Sequence, residues 1–405
     1  MKKRYCITAV LLLFPLLCSC GLLPSYRDVG QLLVIQTMGV DQERGGVRLS
    51  LASAADRDGT VKRLSERGAS ISAAMDGIDR LSTQNTLFCH HVSRVLLGEE
   101  TAERGVDACL DYICRSPVMR ADMPMYVVRD HTAAELISDS GSAGTGISEL
   151  LQSAEQRLER LGGMPVTTAA ELLRCLERYG SALVYTLRFT DAAELPTETE
   201  TESGTDGGDD GDNGEDGAEE TGSAEKNNSV RTAELYGYAV LRDGKLCRYL
   251  DSGEAMAADI LTDQVGIYTV ELRDGLGSTA TLEIDGGSTR ILPLWNGGTL
   301  TGFDVRTELN ASLLESGGAG NGTDSRYLDR LCAALETEIA DRENALLQTE
   351  KSLQADFLGL YGIVERHAPF RYEGQRTEFL ELLPTLTQDI TVSVRLRHTS
   401  DMDSE

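Results

Sequence analysis

The sequence predicts an α+β protein of several domains: an N-terminal mixed sheet with helices against it, then a C-terminal antiparallel sheet packed on one long helix. Three observations carry this. Helical and strand-like periods alternate from Leu32 to Phe189. The stretch Gly266–Leu309 is strand-rich, and the longest helical pattern follows it, from Tyr327 to about Arg366. Between the two regions, residues 197–229 hold no apolar side chain larger than Ala218 and Ala224. A chain of 405 residues has room for two to three domains.

The elements follow in order. Leu32–Val40 reads as a strand, and Val47, Leu49 and Leu51 alternate with polar or small residues, which predicts a hairpin with one buried face. Ser70–Leu81 has helical spacing at Ile71, Ala74, Met75 and Ile78. Val92–Leu97 is a short apolar strand. Glu99–Arg115 reads as one helix that stops before Pro117. Met125–Arg129 is a strand and Thr132–Ile137 a helical turn. Helices near Ile147–Leu161 and Thr168–Tyr179 precede a strand at Ala182–Phe189. Such alternation suggests a mixed sheet layered with helices.

Past the acidic stretch, Leu235–Leu241 and Leu246–Leu250 flank Asp243-Gly244, a hairpin turn. Ser252–Leu261 is a short helix. Four strands are expected at Gly266–Leu272, Ser278–Ile284, Arg290–Trp295 and Thr299–Leu309. Leu328, Leu331, Leu335, Ile339, Leu346, Leu353, Phe357 and Leu360 then mark one helix, which Gly362 and Pro369 end. Ile390, Val392, Val394 and Leu396 alternate with Thr391, Ser393, Arg395 and Arg397, as in an antiparallel strand with one wet face. The expected boundaries are a leader over 1–19, a tether over 20–31, an α/β domain over 32–196, a disordered linker over 197–229, a hairpin and helix over 230–265, a C-terminal α+β domain over 266–400 and a tail over 401–405.

Net charge is −27, and −11 of it falls in residues 197–229, where twelve acidic side chains meet Lys226 alone. No basic patch dominates, which argues against nucleic acid as a partner. An acidic surface is repelled by anionic headgroups, so no broad lipid-binding face is expected. The run Asp206–Asp212 is acidic, yet it misses the register of an EF-hand loop.

No catalytic or cofactor signature stands out: no G-x-S-x-G, no P-loop, no H-E-x-x-H and no dinucleotide fingerprint. His90 and His91 are adjacent, so their rings diverge, and a structural role is expected over a metal site. Asp356 falls in the apolar end of the long helix, where capping or charge pairing is expected. Cys89, Cys109, Cys114, Cys175, Cys247 and Cys332 form no C-x-x-C, and their apolar surroundings predict buried free thiols. No cofactor is called for.

The N-terminus carries the most specific motif. Lys2, Lys3 and Arg4 precede an apolar run from Tyr5 to Leu17, which at ~13 residues is short of the ~20 needed to span a bilayer. Leu17-Cys18-Ser19-Cys20 resembles the bacterial lipobox, with Leu17 and Ser19 at its apolar and small positions. The resemblance implies cleavage before Cys20 and a diacylglycerol on its sulfur. Two or more acyl chains, at ~0.8 kcal/mol per buried CH₂, give a stable anchor where one does not.

Further motifs, in order, resemble the Ger(x)C spore germination lipoproteins. After the lipobox come Tyr26-Arg27-Asp28-Val29 and the strand Val34–Asp41 ending Gly39-Val40-Asp41. Leu87-Phe88 with His91, Leu96-Leu97-Gly98-Glu99-Glu100 and Arg115-Ser116-Pro117 follow. Gly237–Val240 with Asp243–Leu246 is similar to the family's second-domain hairpin, and Gln354–Leu360 with Pro369 to its Ala-Asp-(Ile/Phe)-x-Gly segment. Two features depart: the Trp residues that the family has after the closing Pro are missing, with Phe370 and Phe379 in that region, and the acidic insertion is extra. The resemblance implies three mixed α/β domains and no enzymatic activity. It further implies a lipid-anchored subunit of a nutrient germinant receptor on the outer face of the spore inner membrane, beside membrane-embedded A- and B-type subunits. The alternative is an exported lipoprotein solute-binding module, which predicts a closed cleft between two doubly wound lobes. A lipoprotein hydrolase would need a nucleophile–base pair that the sequence does not offer.

Overall fold

A computed structural model describes residues 32–56, 60–82, 85–139, 146–191, 231–273, 279–316 and 325–397. Leu17, Ser19, Cys20 and the acidic segment 197–229 lie outside the described residues.

The first sheet has nine strands. Its path runs β3 (Arg63–Gly68), β2 (Gly46–Ser53), β1 (Leu32–Glu43), β5 (Arg94–Gly98), β6 (Met125–Val128), β7 (Ser181–Asp191), β8 (Arg231–Arg242) and β9 (Lys245–Leu250), with β4 (Thr86–Phe88) also paired to β1. β1, β5, β6 and β7 are mutually parallel, and the flanking pairs are antiparallel. The β8–β9 hairpin, assigned from the sequence to a 230–265 unit, instead extends the first sheet through ten residue pairs with β7.

Helices cover both faces. On one, α1 (Ile71–Leu81), α2 (Glu99–Arg104), α3 (Asp107–Arg115) and α6 (Ala169–Tyr179) send Ile78, Ala102, Leu110 and Leu172 onto Ile35, Val95, Val127 and Val184. On the other lie α4 (Ala133–Asp139), α5 (Ile147–Leu161) and α7 (Ser252–Leu261). Arg94 pins α5 there, its Nε donating to Glu155 at 2.8 Å and its Nη1 to Ser148 Oγ at 3.1 Å. The single helix expected over 99–115 is two, because Gly105 turns the chain at φ 133 and Val106 N donates to Gly244 O.

The second sheet is β10 (Tyr268–Arg273), β11 (Thr279–Asn296), β12 (Thr299–Glu315) and β13 (Thr387–Arg397). Two strands expected at 278–284 and 290–295 are one, kinked at Gly286 (φ 150) where the register slips. β13 runs parallel to β12, which corrects the antiparallel expectation. The cause is the connection: α8 (Ser325–Leu353) leaves the far end of β12 and returns the length of the sheet, ~1.5 Å per residue, so the chain re-enters in the same direction.

The long helix also stops sooner than its periodicity suggests. It ends at Leu353, Gln354 takes the left-handed φ of 47, and α9 (Leu360–His367) begins anew. α10 (Pro369–Tyr372) and α11 (Arg376–Leu382) follow. One core runs across both sheets, joining Leu183, Tyr238 and Leu250 to Phe303, Val305, Leu346, Tyr361 and Phe379. A smaller core lies between α8 and the second sheet, around Leu282, Leu309, Leu331, Leu335 and Ile339.

Candidate functional site

Where α6, the start of β7, the end of α7, β11 and α9 meet, they leave an open cleft of about 810 Å³. Its walls are mixed. Leu183, Ile291 and Phe357 are apolar, Arg174, Arg290 and Arg366 are basic, and Glu171 and Asp263 are acidic. Arg174 is paired with Glu171, and Asp263 Oδ1 accepts from Thr289 N at 2.8 Å. Cys175 also lines the cleft; burial holds its thiol above the ordinary range, so it is a poor nucleophile. His367 Nδ1 is spent on the carbonyl of Ile363, 2.9 Å away.

A network of buried polar groups adjoins the cleft at Met164, whose N donates to Asp259 and whose carbonyl accepts from Tyr185. Asp259 on α7 accepts from the Tyr238 hydroxyl at 2.6 Å and from the Tyr268 hydroxyl. The Tyr185 hydroxyl sits 2.9 Å from that of Tyr238 and 2.8 Å from Met164 O. One carboxylate thus ties together β7 and β8 of the first sheet and β10 of the second. Burial raises its pKa, and the two tyrosines offset part of the rise.

Behind the cleft three more carboxyls are buried. Asp356 is fully enclosed and accepts from Leu360 N at 2.6 Å and Tyr361 N at 2.9 Å, so it caps α9 as the sequence suggests. Glu350 Oε1 accepts from Leu358 N at 2.9 Å. Burial and the neighbouring Asp356 raise Glu350 strongly, and Asp356, held by backbone N–H groups, is the partner that ionises more readily. Glu343 Oε1 accepts from the Thr307 hydroxyl at 2.7 Å, while its Oε2 has no partner, and burial pushes its pKa up to about 7. Sequence reasoning missed Glu343 and Glu350. The signal was present: they continue the stripe Leu331, Leu335, Ile339, Leu346 at helical spacing.

His90 and His91 lie on an exposed 3₁₀ turn, their rings 5.0 and 5.3 Å from that of Phe88. Among the described residues no three His, Cys, Asp or Glu side chains are grouped to hold a metal ion. Among the described residues the six cysteines are free, with Cys89 and Cys109 buried, but Cys114 and Cys247 are exposed, which corrects the expectation of six buried thiols. Both sit on polar faces of elements whose other face is apolar.

Two family models match. Residues 25–188 fit the spore germination protein N-terminal domain, and residues 236–400 fit the spore germination B3/GerAC-like C-terminal domain. The chain belongs to the Ger(x)C family of spore germination proteins. No curated protein matches it significantly. The fold is similar to the crystal structure of the GerBC protein, with a TM-score of 0.51 and 14% identity over 89% of this chain and 96% of that one.

The motifs that resemble those of Ger(x)C proteins have structural work here. Asp41 accepts from Ala133 N at 2.7 Å and Ala134 N at 2.9 Å, capping α4, and burial raises its pKa. A Cβ on Gly39 would sit 2.8 Å from Ile137 Cδ1, and one on Gly98 would strike the Asp41 carboxylate. Glu99 accepts from Asp130 N and the Tyr249 hydroxyl, each at 2.9 Å. These residues lock the upper ends of β1, β5 and β6 to α4, far from the cleft.

Proposed function

We propose that this chain is a non-enzymatic, lipid-anchored subunit of a spore nutrient germinant receptor. It acts beside membrane-embedded A- and B-type subunits on the outer face of the spore inner membrane. The observation that carries the reading is the pair of spore germination domain matches, which flank the acidic insertion and take in most of the chain beyond the lipobox. The lipobox at Leu17–Cys20 supplies the membrane hold. Among the described residues no helix is long and apolar enough to cross a membrane. The solute-binding alternative rests on the cleft alone, since the second sheet is a three-stranded antiparallel meander with β13 added in parallel through α8, not a doubly wound lobe.

Two experiments test the proposal. Spores that lack this gene, in a strain with no redundant receptor, are expected to stop responding to nutrient and to recover on complementation. Normal germination of the deletion strain overturns the reading. Cys20→Ala is expected to move the protein from the membrane fraction to the soluble one when A- and B-type subunits are absent.

A further inference from the structure

The parallel strands define one end of the molecule. By register, Val40, Leu97, Val127 and Thr186 form a row across β1, β5, β6 and β7. Leu32 precedes that row by eight residues and Ser181 by five, so at ~3.3 Å per residue both strand starts lie at the same edge, ~26 and ~16 Å below the row. The tether from Cys20 joins the fold at this edge. α1 also ends there, since Thr86, five residues after Leu81, pairs with Leu32.

α9, α10 and α11 sit on that same edge. Arg376 Nη1 donates to Leu176 O at 3.1 Å and Glu177 O at 3.0 Å, at the end of α6 just before β7. Arg178 pairs with Glu365 at 2.6 Å, and Gly362 abuts the Tyr179 ring. α10, between them, presents Phe370 wholly to solvent, at 106% relative exposure. Trp295, at the tip of the β11–β12 hairpin, is 38% exposed with its ring 5.9 Å from that of Tyr372. Leu81 is 62% exposed. Arg366, His367 and Arg371 are near Phe370 in sequence, and Glu365 is paired with Arg178, while Glu373, Glu378 and Glu381 are exposed acids on or beside the same helices.

We propose that this end lies against the bilayer surface, with Leu81 and Phe370 dipping among the acyl chains and Trp295 at headgroup level. The inference rests on the lipid-anchor reading of Cys20. Residues 20–31 can reach ~40 Å, too long to orient the domains by themselves. Aromatic side chains favour the membrane–water boundary, and a second weak contact beside a lipid anchor fixes a pose. Arg366 and Arg371 reach the phosphates. The patch is narrow, which reconciles it with the absence of a broad lipid-binding face expected from net charge.

Trp295 is the sole tryptophan, so it reports directly. Full-length acylated protein is reconstituted in vesicles of phosphatidylglycerol and phosphatidylethanolamine, with or without brominated acyl chains, and floated on a density gradient. Bromine is expected to quench Trp295 emission. The double variant Leu81→Ser with Phe370→Ser is expected to float equally well and to lose most of the quenching. Protein that floats with Trp295 unquenched overturns the inference alone, and the patch then faces a protein partner. Protein that does not float overturns the anchor reading and this pose with it.

Discussion

Glu343 sets a pH dependence that one substitution isolates. Its carboxyl titrates at about 7 in the fold against an ordinary 4.5, because burial disfavours the charge. The folded chain therefore holds a proton through the window 4.5–7 that the unfolded chain has released, and stability falls as pH rises across it. A tenfold difference in proton affinity between the two states is worth ~1.4 kcal/mol, so the loss is about 1–3 kcal/mol above pH 7. Glu343→Gln keeps an acceptor for Thr307 and removes the titration. Urea unfolding at several pH values is expected to show the variant equal to the parent near pH 4 and more stable by about that amount at pH 8. Identical pH slopes would sink the assignment. Burial raises Asp356 as well, and the backbone N–H groups that it accepts from offset only part of the rise. Asp356→Ala leaves Leu360 N and Tyr361 N buried without an acceptor and is expected to cost about 2–4 kcal/mol, read as a lower urea midpoint. Asp356 was legible in the sequence because a carboxylate set among apolar residues needs partners. Glu343 carried a signal too, its place in the stripe of Leu331, Leu335 and Ile339, but a stripe alone does not announce that a polar member will be covered.

Elements were legible where side chains repeat and illegible where backbone turns decide. The alternation in β1, β2 and β7 and the stripes of α1 and α6 emerge as expected. β3 carries Arg63, Ser65 and Arg67 between half-buried neighbours, so no apolar alternation flags it, and it forms only as an edge on β2. The breaks at Gly105 and Gln354 depend on φ angles that composition only hints at. The direction of β13 is a property of the route taken by α8, not of the strand's own residues. Gly302 marks what this parallel pairing demands, because a Cβ there would run into the Thr387 backbone and hydroxyl. Gly302→Val is therefore expected to unzip β13 from β12 while β10 and β11 stay paired. Hydrogen exchange should show faster exchange for the amides of 387–397 and little change in 268–273. Unchanged protection of β13 would refute the crowding argument.

At the scale of the molecule, the acidic insertion falls in sequence between two paired strands of one sheet. Ser181–Asp191 before it and Arg231–Arg242 after it are antiparallel neighbours. The shared core then carries the first sheet's Tyr238, Val240 and Leu250 into contact with residues from α7, β12 and α9. Composition changes suggest boundaries at both ends of the insertion, which is sound for linkers but blind to strands that pair across one. A piece ending at 191 would expose the full edge of β7, and the rest would lose the surface that buries Tyr238 and Leu250. Unpaired strand edges and large uncovered apolar faces drive aggregation. Residues 32–191 and 231–397 expressed singly are thus expected to be insoluble. Expressed together they are expected to co-purify as a one-to-one complex that elutes like the intact chain and unfolds in a single transition, since the apolar area they share contributes ~25 cal/mol per Å² buried. A soluble, monomeric, cooperatively folded 32–191 would show instead that β8 and β9 are ornaments on a self-sufficient sheet.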